Sequence, residues 1–568
     1  MTAVLPHPSP RIRQPLRPQV IPLSPAIAVA AGLLLLPPAA PSAERTVGQA
    51  GGGQFTSIQA AIDAAAPGDS IVVLDSATYV EDLTFGNPST GAPDSKADVT
   101  LRAADGQRPT VKAANTQDRL GLGAPDYSGL LIWSRGVTVR GLDILNDGNA
   151  GMGALGLGTS LSVHASGVSV IDCLVSREGG AEIQDGAVLA VSDLHRLFGG
   201  SQTIEDILIS DCTVEKGMSV GIVVYPFAWN LPGGPLDSIV HARIERCIIQ
   251  DNAGTGFQSD ALGSVELTQV TCLRNGGAGF EMSNQDASMT DCVAIDNGGA
   301  GVTAEIDDNY NYSDFKLTVD GLTCTGNRNG GLSITEGVAN IRRALLYDNE
   351  DFNLRVDPTI DSFAAESIPV TVDHSTLYYT PGQADPWPNV RIDFGFDTAT
   401  LDLTNSLIVG PIGIDNFDQA IPGQDLVVDH AMFWNGGAPV THEGPFTATN
   451  SVPPADPLFA DPGQGDFRLQ TGSPAATADD QGGAIGAMGL VTASPTEVII
   501  TALGVDQGRF FVEWLGQEGP DYLIRAGSAL NSDDWIVRAT LPGQAGTMRW
   551  TQPDEPGASF FLRVEAEP

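Results

Sequence analysis

Basic residues are scarce in this chain. Against 69 Asp and Glu stand only 29 Lys and Arg, a formal charge of −40 over 568 residues. Such a field repels phosphate and no basic stripe offsets it, so nucleic acid is excluded as a partner. Charged side chains reach only 17% and aromatics 6%, where ~25% charged is usual. With 66 glycines and frequent Asp and Asn, this favours turns and small side chains over helical bundles. A hydrophobic content of 42% still supplies a core and excludes wholesale disorder. Long apolar runs are missing as well. The eleven residues from Ala26 to Leu36 are too few to span a ~30 Å hydrocarbon layer. They follow Arg11, Arg13 and Arg17 and precede the small-residue stretch Pro37 to Ala43. Residues 1–43 therefore read as a signal peptide cut near Ala43, with an uncleaved anchor as the alternative. The mature chain is expected to start near Glu44, to be secreted or held in the cell envelope, to lack a transmembrane span and to stay monomeric.

Cysteine is sparse too, and its six copies mark a repeat rather than a disulfide framework. Cys173, Cys212, Cys247, Cys272, Cys292 and Cys324 each sit in a short apolar/polar alternation, the signature of a strand. Leu142, Ala344, Ser375, Ser406 and Ala431 occupy the same slot without sulfur, so the slot needs a small apolar group and not a thiol. Successive slots lie 20 to 39 residues apart, which predicts a solenoid with one strand set per coil. Turn signals follow the slot at Asp251-Asn252, Arg274-Asn275, Asp296-Asn297 and Asn327-Arg328. A Gly then precedes an apolar–polar–apolar run, as in Gly256-Phe257-Gln258 and Gly279-Phe280-Glu281. Twenty residues leave no room for a strand plus a helix of ordinary length. An all-β parallel helix, with the thiols free and stacked inward, is the fold this predicts.

Two segments carry a family resemblance. Phe55-Thr56-Ser57-Ile58-Gln59-Ala60-Ala61-Ile62-Asp63-Ala64, followed by Pro67-Gly68-Asp69-Ser70-Ile71-Val72-Val73, resembles the start of right-handed parallel β-helix proteins of the pectate-lyase-like superfamily. The resemblance implies a single-stranded right-handed solenoid with a short N-terminal capping helix. Ser57 and Thr56 are good N-caps, and Ile58, Ala61 and Ile62 form the apolar stripe such a cap needs. Asp456-Pro457-Leu458-Phe459, Gly465-Asp466-Phe467-Arg468-Leu469 and Gly472-Ser473-Pro474-Ala475 are similar to the closing segment of choice-of-anchor-type bacterial β-helix proteins. The solenoid domain is expected over residues 44–490. Beyond Pro495 the repeat gives way to six short alternating segments, which predict a small C-terminal β-sandwich, fibronectin-III-like, over 495–568. Trp514, Tyr522 and Trp535 read as its core anchors.

The superfamily includes lyases, hydrolases, epimerases and non-catalytic proteins, and none of its familiar catalytic signatures is present, so function must be argued from geometry. If the residue after each Gly points inward, alternation sends the next outward. One outer column then reads Ser162, Val223, Gln258, Glu281, Thr303, Ser333, Asn353, and its neighbour His164, Tyr225, Asp260, Ser283, Glu305, Thr335, Arg355. Aromatic-bearing segments follow Tyr225 (Phe227, Trp229) and Glu305 (Tyr310, Tyr312), flanking two short coils. This suggests a saccharide groove with Tyr225, Phe227, Trp229, Gln258, Tyr310, Tyr312 and Arg355 as binding residues. Asp260 and Glu281, about 8 Å apart from sheet spacings, would serve as base and acid of a glycoside hydrolase, with Glu305 as substitute. A Ca²⁺-assisted lyase acting on uronates is the rival, with Asp307, Asp308 and Asp314 as oxygen ligands and Lys316 or Arg355 as base or clamp. A third reading has these carboxylates as solvated groups on a non-catalytic envelope or adhesion protein.

Overall fold

The computed structural model describes residues 42–567 apart from 88–92, 117–118, 120–127, 147–158, 178–186, 193–202, 226–238, 261, 284–285, 306–315, 336, 358–367, 383–386, 393–398, 417–424, 444–445, 491–499, 507–508, 517–520, 528–535, 543–545 and 552–560. The alternating segments pair in parallel into two sheets of 25 and 13 strands, one coil against the next. In the larger sheet each coil contributes two strand segments that meet at a corner. The strand Asp286–Ile295 turns at Asp291, whose φ of 49° lies in the left-handed region. Asp172, Asp211, Arg246, Arg343, His374, Asn405 and His430 turn the corners of other coils in the same way. Asp, Asn and His hold six of these eight corners, the residue types that enter that conformation most readily after glycine. A second turn then leads to the 13-stranded sheet. Inward side chains stack between coils: Ala287 pairs with Leu317, Leu317 with Ala339 and Ala339 with Val370, and all four are buried. A glycine precedes six strands of the smaller sheet, at Gly129, Gly221, Gly256, Gly279, Gly301 and Gly331, and coil spacing requires it. A Cβ at Gly301 would lie 2.6 Å from the Gly331 carbonyl oxygen.

Both ends of the stack are treated separately. At the start, the helix Ile58–Ala64 buries Ile58, Ala61 and Ile62. Ser57 caps it, its hydroxyl accepting from the Ala60 amide at 3.1 Å, and the Glu81 carboxylate accepts from the Ile58 and Gln59 amides at 3.2 and 2.8 Å. The expected capping helix is thus present, and it covers core that the first coil would otherwise expose.

The thiols are buried and free, but they form two files, not one. Strand register aligns Cys173, Cys212, Cys247, Val270 and Cys292, directly after the corner. Cys272 and Cys324 lie two residues further on, in the file of Ile249, Ala294 and Leu346. The coils that the cysteine spacing puts at 20 residues are accordingly 22, as between Asn275 and Asn297, while a spacing of 20 is found at the end of the stack, where Val427 pairs with Thr447. Burial pushes the Cys292 thiol up to about 11, so these groups pack as small hydrophobes. Asparagine forms a further file that the turn signals only hinted at. Asn252, Asn275, Asn297, Asn327 and Asn349 are buried, and each side-chain amide donates to the next side-chain carbonyl at 2.9–3.0 Å.

After the last coils the chain does not add another turn of solenoid. Phe459–Asp461 and Asp466–Leu469 pair antiparallel, and Phe459, Phe467, Leu469, Ala475 and Ile485 pack on Leu345, Tyr378, Leu407 and Val409. A polar latch fastens this segment to the corner file. His374 bonds Asp373 through Nδ1 at 2.8 Å and Asp479 through Nε2 at 3.3 Å, and Asn405 accepts from the Asp480 amide. Burial alone would raise both carboxyls. Donors from His374, Asn405 and Thr404 outweigh it at Asp373, and the Gly483 and Gln481 amides with His374 outweigh it at Asp479, so both titrate below the usual range. A carboxyl depressed on folding stabilises above its unfolded value, ~3.9, and loses that contribution as pH falls through the folded value. Proteolytic nicking of residues 470–490 is therefore expected to stay constant from pH 7 to 5 and to rise below about pH 4. A rise already complete at pH 5 would assign the latch to other groups.

The tail comprises two three-stranded antiparallel sheets. Val512 and Trp550 of one cluster with Tyr522 and Ile524 of the other, so Tyr522 is a core residue. Trp535 lies outside the described residues.

Candidate functional site

The 13-stranded sheet presents its outward columns between turns of the solenoid. Phe257 and Phe280 point inward and are fully buried, their rings 6.5 Å apart, which leaves Gln258 and Glu281 outward and half-buried. Strand register aligns Val223 with Gln258, Gln258 with Glu281, Glu281 with Thr303 and Thr303 with Ser333. Asp260 lies one step beyond the strand Phe257–Ser259, and its amide donates to the Val224 carbonyl at 2.9 Å, continuing the ladder. Tyr225 is aligned with Ser192, and Ser283 with Glu305. Glu305 thus stands two coils from Asp260, about 9.6 Å along the stack.

Gln258 draws the two carboxylates together. Its side-chain amide donates to Asp260 Oδ2 at 3.1 Å and to Glu281 Oε1 at 3.3 Å. The Thr255 hydroxyl donates to the other oxygen, Glu281 Oε2, at 3.0 Å. Two bonds of those lengths from one nitrogen keep the acceptor oxygens within about 6.4 Å, and the ~120° fork of an amide places them about 5.5 Å apart. That is shorter than the ~8 Å expected from strand spacing, because side-chain conformation, not backbone position, sets it. A carboxylate pair at this separation leaves no room for a water molecule between acid and base, and matches the geometry in which one group attacks directly.

Arg355 departs from its expected column. Register aligns it with Ser333, and so with Gln258 and Glu281, while Asp357 continues the Asp260 side. The slip arises at Asn353, which joins the buried asparagine file between Asn349 and Asn389 and makes Leu354 the inward anchor. Arg355 bonds Asp357 and lies 6.0 Å over the Phe352 ring. Arg391, next in the column, donates to Asp351 at 3.2 Å, and Asp415 follows it. Neither Arg391 nor Thr255 was flagged by the sequence. The Arg391 strand is introduced by Asn389 where other coils carry glycine, and Thr255 lies in a turn to which alternation does not apply. Lys316 opens a strand of the larger sheet and shares no column with the carboxylates.

Phe227 and Trp229, together with Asp307, Asp308, Tyr310, Tyr312 and Asp314, lie outside the described residues. Among the described residues no group of three or more His, Cys, Asp or Glu is arranged to hold a metal ion, and no helix is long and apolar enough to cross a membrane.

Residues 227–344, which carry the carboxylate pair, match the family described as right handed beta helix region. No match is found among curated proteins. Among solved structures the chain is similar to pectate lyase Pel9A at 13% identity, covering 79% of this chain and 96% of that one, with a TM-score of 0.35. The A-module of the Azotobacter vinelandii mannuronan C-5 epimerase AlgE4 gives 15%, 70%, 92% and 0.40. The catalytic unit of a GH87 α-1,3-glucanase from Streptomyces thermodiastaticus gives 12%, 69%, 65% and 0.33. The solenoid is a right-handed parallel β-helix.

Proposed function

We propose that this is an exported polysaccharide-active protein that binds a glycan across the coils of its 13-stranded face and hydrolyses it with Asp260 and Glu281. The bridge from Gln258 to both carboxylates carries the reading, since it keeps the bonded oxygens of two acidic groups within about 6.4 Å of each other on an outward face. At that spacing Asp260 acts as nucleophile on the anomeric carbon while Glu281 gives its proton to the leaving oxygen. Water then cleaves the glycosyl ester with Glu281 taking the proton back. This replaces the base role that a wider gap would have given Asp260. Gln258 and Thr255 orient the pair, and Glu305 lines the same face two coils along.

Elimination is the weaker reading. A uronate clamp needs a cation free to meet the substrate, and Arg355 and Arg391 are each already bonded to a carboxylate, Asp357 and Asp351. The deciding experiment is incubation of the purified protein with a panel of neutral and uronate-containing polysaccharides, reading reducing ends and ultraviolet absorbance together. Hydrolysis releases reducing ends without absorbance, whereas an unsaturated product would establish a lyase. Binding without cleavage of any glycan would favour a non-catalytic envelope protein.

A further inference from the structure

Away from the carboxylate pair, the closing segment and the last coils line an open pocket of about 360 Å³, within the range that holds small ligands. Tyr378 and Trp434 form part of its wall. Each pairs with Val409, so the two rings are carried on strands two coils apart, about 9.6 Å. Phe459 closes the wall from the other side, 6.1 Å from the Tyr378 ring and edge-on to it. Asp456 and Gln470 supply acceptors to the lining, beside the donor groups of the Trp434 indole and the Tyr378 hydroxyl. Asp456 spends Oδ1 on the Leu458 amide at 2.9 Å, and Oδ2 has no partner among the described residues. Gln470 spends its amide nitrogen on the Phe459 carbonyl at 2.8 Å, which leaves its own carbonyl oxygen to accept. No Lys, Arg or His lines the pocket.

A ligand for this site needs an apolar face for the rings and several hydroxyl donors for Asp456 and Gln470. It must also lack negative charge, because nothing would offset its repulsion by Asp456. We infer that this pocket is a binding site for a neutral saccharide, separate from the site of cleavage. The inference does not rest on the catalytic reading. It is tested by calorimetric titration of the full chain carrying Asp260→Asn and Glu281→Gln, so that turnover plays no part, with cellobiose, maltose, lactose and, as the charged control, glucuronate. At least one neutral disaccharide is expected to bind and glucuronate is not. Trp434→Ala should weaken binding about tenfold or more, with partial recovery in Trp434→Phe, since stacking needs an aromatic face. Asp456→Asn should weaken it similarly, and its exposed position leaves folding unaffected. The inference falls if no neutral disaccharide binds, if glucuronate binds as well, or if binding survives both Trp434→Ala and Asp456→Asn. Any of the three failures leaves cleavage by the carboxylate pair untouched.

Discussion

Replacing Glu281 with Gln is expected to lower turnover of the cleaved glycan by about 10²–10⁴-fold, the range for removing a positioned general acid. KM should change little, because the amide keeps the volume and the contacts to Gln258 and Thr255 can persist. Asp260→Asn should cost at least as much, since without a nucleophile no glycosyl ester forms. Gln258 touches both carboxylates but no reacting bond, so Gln258→Ala should reduce kcat more modestly, about tenfold, by letting the pair drift apart. Stereochemistry gives a separate check. Proton spectra taken in the first minutes of hydrolysis should show the product anomer retained. An inverted anomer would mean that water attacks directly and that Asp260 serves as base across a wider gap than the bridge allows. Full activity in Glu281→Gln would remove the carboxylate pair from the mechanism altogether.

The repeat, the capping helix and the outward column through Gln258, Glu281, Thr303 and Ser333 were legible in the sequence, because side chains alternate with period two and each of those coils opens with glycine. What alternation cannot detect is a slip of two residues, which leaves the inward and outward faces unchanged. Both register differences are of that kind. Cysteine spacing aligns Cys272 and Cys324 with thiols two residues out of step, and alternation places Arg355 two positions along because nothing in the pattern distinguishes Asn353, a ladder rung, from a column member. The spacing of Asp260 and Glu281 is illegible for another reason. Strand geometry locates backbones to within a fraction of an ångström, whereas Gln258 decides how the carboxylates lean, and no pattern in the chain announces that contact. The closing segment was recognisable as a distinct stretch, but its packing on the outside of the larger sheet depends on Tyr378, Leu407 and Val409. In the sequence those residues look like ordinary members of strands.

The asparagine file makes the largest stability prediction. Asn297 accepts from the Asn275 amide and from its side-chain nitrogen, both at 3.0 Å, and donates to Asn327 Oδ1 at 2.9 Å and to the Cys272 carbonyl at 3.2 Å. Asn297→Ala removes all four bonds in a fully buried position. A buried polar group left unpaired costs about 1–3 kcal/mol, so the variant should lose about 3 kcal/mol or more, well beyond a typical substitution. Because each coil rests only on its neighbours, the loss should be local first: hydrogen exchange should accelerate at amides from 275 to 327 before the N-terminal coils respond. Asn297→Asp separates hydrogen bonding from shape. One carboxylate oxygen would keep the two Asn275 donors, but the other would face the Asn327 and Cys272 carbonyl oxygens without one, and burial with this repulsion raises the folded pKa above the unfolded ~3.9. A group raised on folding contributes fully below its unfolded value and loses that contribution as pH climbs through the folded one. The Asp variant should therefore approach the stability of the parent chain near pH 4, where its protonated oxygen can donate to Asn327, and fall furthest behind at neutral pH. Equal destabilisation at both pH values, or an Ala variant within 1 kcal/mol of the parent, would show that the file is held by coil packing and not by its amides.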